Sequence, residues 1–114
     1  MIDNREKIRR LAKYVKENPG DSFSKFALAL ELQKNNQVEK ALTLFESIYR
    51  NDSDYLGIYY HLGKLYQSLN RYADADICFR EGIERSGNQN DHRTLSELQD
   101  ALKQLNEEIN HENE

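Results

Sequence analysis

Apolar residues recur along the chain at three- and four-residue spacings, and short polar breaks divide them into six amphipathic segments. The first spans about residues 4–17, with Ile8, Leu11, Ala12 and Val15 on one face. Asp3 is placed to accept from its early N–H groups, and Glu6 completes a capping-box pattern. Asn18-Pro19-Gly20 stops it, because proline cannot continue the hydrogen-bond ladder. The second segment, Ser22 to Lys34, presents Leu28, Ala29 and Leu32 and breaks at Asn35-Asn36. The third, Val38 to Arg50, presents Ala41, Leu42, Phe45 and Ile48. The fourth, Tyr55 to Leu69, carries Tyr59, Leu62, Gly63 and Tyr66. The fifth, Tyr72 to Arg85, carries Ala75, Phe79 and Ile83. Ser86-Gly87-Asn88-Gln89-Asn90 then reads as the longest loop, and the sixth segment, residues 91–110, shows Leu95, Leu98, Leu102, Leu105 and Ile109. Residues 111–114 read as a frayed tail.

Sliding the chain against itself by 34 residues superposes Leu28 on Leu62, Ala29 on Gly63, Leu32 on Tyr66, Asn36 on Asn70, Ala41 on Ala75 and Phe45 on Phe79. The matched types have a physical reason. Two helices joined by a short turn approach closely only where side chains are small, which suits Ala29, Gly63, Ala41 and Ala75. Phe45 and Phe79 are expected to fill the space between one hairpin and the next.

A repeat of two helices at this period resembles the tetratricopeptide repeat. Residues 55–87 carry its pattern as Tyr59-x2-Leu62-Gly63-x2-Tyr66 followed by Ala75-x3-Phe79. Residues 21–54 are similar to a weaker copy, with Lys25 where the family prefers Trp and Ser53 in place of the closing proline. The first segment resembles the second helix of a half-repeat, with Leu11 and Pro19 in register with Phe45 and Ser53. The last resembles a first helix displaced by about two residues. The resemblance implies an all-α fold, a right-handed α-α superhelix of six antiparallel helices, in one domain over 1–114: a half-repeat helix (4–17), two repeats (21–54 and 55–87) and a capping helix (91–110). Both terminal helices are expected to turn polar faces outward, through Arg5, Arg9, Lys13 and Lys16 at one end and Glu97, Asp100, Glu107 and Glu108 at the other.

In that family the first helix of each repeat lines a concave groove that takes a peptide or helix of a partner. Carried position by position, the resemblance implies a groove of Phe23, Phe26, Leu30 and Gln33 with Tyr60, His61, Lys64 and Gln67. Phe23, Phe26 and Leu30 share a stripe separate from Leu28, Ala29 and Leu32, as a docking site for an apolar peptide would require. A subgroup binds the C-terminal carboxylates of chaperones through Lys, Asn and Arg. Here Phe26 and Leu30 occupy the places where that clamp wants Lys and Asn, and only His61 and Lys64 are polar counterparts, which argues against that ligand. The expected function is that of a protein-interaction scaffold. The alternative is self-assembly, including a homodimer, through the heptad-like seam of the last segment.

Composition narrows the picture further. Of 114 residues, 38% are hydrophobic, below the usual share of about 45–50%, and 32% are charged, which suits a surface-rich repeat architecture. A net charge of −4 argues against a general nucleic-acid-coating role, although Arg5, Arg9, Arg10, Lys13 and Lys16 give the first segment a basic face. The single cysteine, Cys78, excludes an intrachain disulfide and suits a reducing compartment. With no apolar targeting region after Met1 and no apolar run of about 18 residues, the expected location is the cytoplasm and no membrane span is expected. His61, His92 and His111 lack metal-ligand spacing, and no phosphate loop, nucleophile elbow or HExxH is present. No metal, cofactor, small-molecule substrate or enzymatic activity is expected.

Overall fold

Three asparagines set the path of the chain. Asn36, Asn70 and Asn90 adopt φ values of 60°, 61° and 58°. Asparagine tolerates this left-handed region better than most L-residues. At each, the next residue's N–H reaches back to a carbonyl in the last helical turn: Gln37 to Leu32 at 2.8 Å, Arg71 to Tyr66 at 2.9 Å and Asp91 to Ser86 at 2.9 Å. These bonds satisfy carbonyls the helix end would orphan, and they reverse the chain sharply.

The computed structural model describes residues 4–113 and holds six α-helices and no strand among them. They are α1 (Asn4–Glu17), α2 (Ser22–Lys34), α3 (Val38–Asn51), α4 (Gly57–Ser68), α5 (Tyr72–Asn88) and α6 (His92–Glu112). The all-α class is the expected one. The expected cap of α1 by Asp3 lies outside the described residues, as does Glu114 of the expected tail. The helices cluster into two units, one ending at Tyr55 with α1–α3 and one beginning at Leu56 with α4–α6.

In the first unit Asp21 caps α2, accepting from the Ser24 N–H at 3.3 Å and the Ser24 hydroxyl at 2.9 Å. Those bonds, led by the hydroxyl, hold its carboxyl below the usual range. Helices α2 and α3 run antiparallel: Ser22 bonds to Asp52, Lys25 to Ser47, and the Phe26 ring meets that of Phe45. Leu28, Ala29, Leu32, Ala41, Leu42, Phe45 and Ile48 form the core. Lys25, at the family's tryptophan position, is also buried. Its stem fills apolar space while the ammonium reaches the Ser47 hydroxyl at 3.3 Å.

No residue of α1 is fully buried. Ile8, Leu11 and Val15 are half-buried, and a polar clasp adds to them: buried Glu31 on α2 pairs with Lys7 at 3.0 Å and Lys34 at 3.2 Å, and accepts from the Asn4 amide at 2.5 Å. The bond from Lys7 does most to depress the Glu31 carboxyl's pKa.

The second unit is a three-helix stack around Ile58, Tyr59, Leu62, Leu65, Ala75, Cys78, Phe79, Leu98, Ala101 and Leu105. Glycines allow the close approaches. A Cβ at Gly63 would stand 2.3 Å from Phe79 Cε1, and one at Gly82 would stand 2.5 Å from Tyr59 Cβ and 2.8 Å from Leu98 Cδ1. Phe79 therefore packs closely against α4 within its own hairpin. The segment 86–90 also departs from expectation. It is no five-residue loop, because α5 continues to Asn88 and only Gln89 and Asn90 form the turn. Ser86 is fully buried within the last turn of α5 and donates to the Gly82 carbonyl at 2.6 Å. At the other end, α6 runs to Glu112, past the expected Asn110.

Candidate functional site

The α6 helix lies alongside α4, and their contacts advance in step. Tyr60 and His61 face Glu97 and Asp100, Lys64 reaches Gln104 at 3.1 Å, and Gln67 donates to Glu108. Residue numbers rising together mean the two helices run parallel, as the first helices of successive repeats must. Between them opens a cleft of about 450 Å³ lined by Tyr60, His61, Glu97, Asp100, Ala101 and Gln104.

The cleft's α4 wall is built by helical spacing. Ile58, Tyr59, Leu62 and Leu65 turn inward, which leaves Tyr60, His61, Lys64 and Gln67 on the α6-facing side. The Tyr60 and His61 rings meet edge to face, 5.5 Å between centroids, and the Lys64 ammonium stands 5.9 Å from the Tyr60 ring. His61 is half-buried. Burial pushes its pKa below the ordinary histidine value, opposed by the Glu97 carboxylate. Ala101 gives the floor its depth, since it is small and buried.

Helix α6 supplies the other wall. Its N-cap Asp91 accepts from the Thr94 N–H at 3.0 Å and its hydroxyl at 2.9 Å, bonds that depress the Asp91 carboxyl's pKa. Leu98, Ala101 and Leu105 bury one face, so Glu97, Asp100 and Gln104 come to the cleft. Toward the C-terminal end, the Tyr72 hydroxyl lies 3.1 Å from Glu108 and 2.8 Å from Glu112, which raises the phenol's pKa well above its ordinary value.

One expectation is corrected here. Glu97, Asp100 and Glu108 do not merely decorate an outer face: the first two line the cleft, and Glu108 accepts from Gln67 and lies against Tyr72. The leucine seam of α6 is spent within the unit, with Leu98 and Leu105 fully buried and Leu95, Leu102 and Ile109 half-buried. Of the expected α4 groove residues, Tyr60 and His61 line the cleft, while Lys64 and Gln67 are engaged by α6 side chains.

The expected α2 residues sit in the first unit with different fates. Phe26 is half-buried, its ring 5.9 Å from Phe45 and 5.6 Å from Tyr55, so it belongs to that unit's aromatic cluster. Leu30 and Gln33 are half-buried, and Phe23 is 70% exposed. Among the described residues, no three His, Cys, Asp or Glu side chains come together to hold a metal ion, and no helix is long and apolar enough to cross a membrane.

The tetratricopeptide repeat family model matches residues 56–89, which hold α4 and α5. The chain is 44% identical to a tetratricopeptide repeat domain protein from Salinibacter ruber, over 75% of this chain and 96% of that one, with a TM-score of 0.73. The TPR2B domain of yeast Sti1, solved in a complex with pHsp70, superposes over 93% of this chain and 85% of its own at 14% identity and a TM-score of 0.84. The Sgt2 TPR domain from Aspergillus fumigatus superposes over 96% of this chain and 70% of its own at 20% identity and a TM-score of 0.82. At those two identities the likeness is one of fold alone. A search of the curated proteins returns no match.

Proposed function

The chain belongs to the tetratricopeptide repeat family, and from that premise we propose that it is a protein-interaction module whose α4–α6 cleft receives a segment of a partner protein. The observation that carries the reading is the cleft itself. An aromatic ring, an imidazole, two carboxylates and an amide surround about 450 Å³ of open space on two rigid helices. Polar groups held on packed helices, around a small residue at the floor, suit recognition of an extended or helical peptide. The yeast Sti1 domain, of the same fold, is named as a complex with pHsp70, which supports a binding role for the fold. The lone buried thiol of Cys78 suits the cytoplasm as the proposed setting.

The test is affinity capture from a native lysate with wild type and Tyr60→Ala side by side. Tyr60 is only half-buried, so the variant keeps its helical spectrum and melting temperature. Loss of specific partners from the Tyr60→Ala eluate supports the cleft, and identical eluates contradict it. Self-association through the α6 seam has less to stand on, because Leu98 and Leu105 would have to leave the places they fill.

A further inference from the structure

Resting on that reading, we infer that the α4–α6 cleft selects a partner segment that presents an arginine or lysine side chain. The carboxylates of Glu97 and Asp100 stand one helical turn apart on the same wall. Asp100 has no hydrogen-bond or ion-pair partner among the described residues. Glu97 pairs with Arg93 at 3.4 Å, and that arginine's side chain is 91% exposed, so the pair is loose and exchangeable.

The opposing wall sets one cation, Lys64, against these two carboxylates. Burial favours the neutral form of His61. Lys64 directs its ammonium to the Gln104 amide, 3.1 Å away at the cleft's end. Tyr60 adds a ring within the same space, and a cation between an aromatic ring and carboxylates gains from both. A ligand bearing a carboxylate would meet Glu97 and Asp100 as like charges. The cleft's charge thus selects the opposite of an acidic tail.

Four capped peptides of one sequence, Ala-Ala-Leu-X-Ala-Leu-X-Ala, with X as Arg, Lys, Gln or Glu, provide the probe. Each is titrated into the 15N-labelled full chain and into the Glu97→Gln/Asp100→Asn double variant, which keeps side-chain size and removes charge. The Arg and Lys peptides should shift the amides of Tyr60, His61, Glu97 and Asp100. They should bind about tenfold more tightly than the Gln peptide, an advantage that disappears in the double variant. Equal binding of all four peptides, an unchanged Arg affinity in the double variant, shifts confined to other residues, or no binding at millimolar concentration would each overturn the charge preference. Failure here leaves the capture experiment with Tyr60→Ala intact, so the two readings fail separately.

Discussion

The ring of Phe79 lies across Gly63 so closely that a Cβ on the glycine would stand 2.3 Å from Cε1 and 2.6 Å from Cδ1. Phe79 is fully buried and cannot swing aside, so Gly63→Ala should destabilise the protein by about 1–3 kcal/mol, as overpacking of a close-packed core does. Urea unfolding measures this, and pairing Gly63→Ala with Phe79→Leu should recover part of the loss. A cost equal to the sum of the two single changes would mean that the ring is not what limits the site.

Gly87 predicts the opposite sign. It lies within α5, no atom comes within 4 Å of a Cβ built there, and its φ is not positive. Gly87→Ala should therefore stabilise by about 0.5–1 kcal/mol, since alanine loses less backbone freedom in a helix. A destabilised variant would place the residue in a turn and not in α5.

Cys78 should behave as an inert thiol. It is 5% exposed, its sulfur lies 3.4 Å from the Tyr59 carbonyl, and burial pushes its pKa up to about 12. The thiolate is the reactive form. Native protein at pH 8 should react with a disulfide reagent only as fast as it opens, and promptly in denaturant. Rapid native-state labelling is the contrary result.

His61 gives stability a pH slope of known sign. Its folded pKa is lowered, chiefly by burial, so between the ordinary histidine value and the lower folded value the unfolded chain binds the proton that the folded chain refuses. Stability from this group is full above the ordinary value and falls as pH drops through that window. Wild type should therefore lose more stability than His61→Gln on acidification from pH 7.5 to pH 5.5. Parallel losses would mean that His61 ionises freely where it stands.

Much of this architecture is legible in the sequence because its signals are local. Asn36 and Asn70 repeat in register, and both take the left-handed turn that ends a helix. The α2 helix has the expected bounds, since Asp21 and the Asn35-Asn36 break mark its ends chemically. Ser86 to Asn88 mislead, because Ser, Gly and Asn resemble a turn while the true stop lies at Asn90. The full burial of Ser86 is a tertiary fact that its residue type does not announce. The α4 wall of the cleft follows from the repeat register at Tyr60 and His61. The α6 wall does not, because Glu97 and Asp100 on a displaced helix look like any solvated acids until α6 is laid parallel to α4. Lys25 reads as a departure from the family, yet its hydrogen bond to Ser47 matches that of Tyr59 to Glu81 across the same 22 residues.

Photo-crosslinking tests the central claim most directly. A benzophenone amino acid replaces Tyr60 in the cleft or, in a second protein, Ile77, which is 59% exposed on α5. After irradiation in native lysate, the protein labelled at position 60 should form discrete adducts with partner proteins that the protein labelled at position 77 does not. No adduct at position 60, or the same adducts at both positions, would contradict the assignment of the α4–α6 cleft as the binding site.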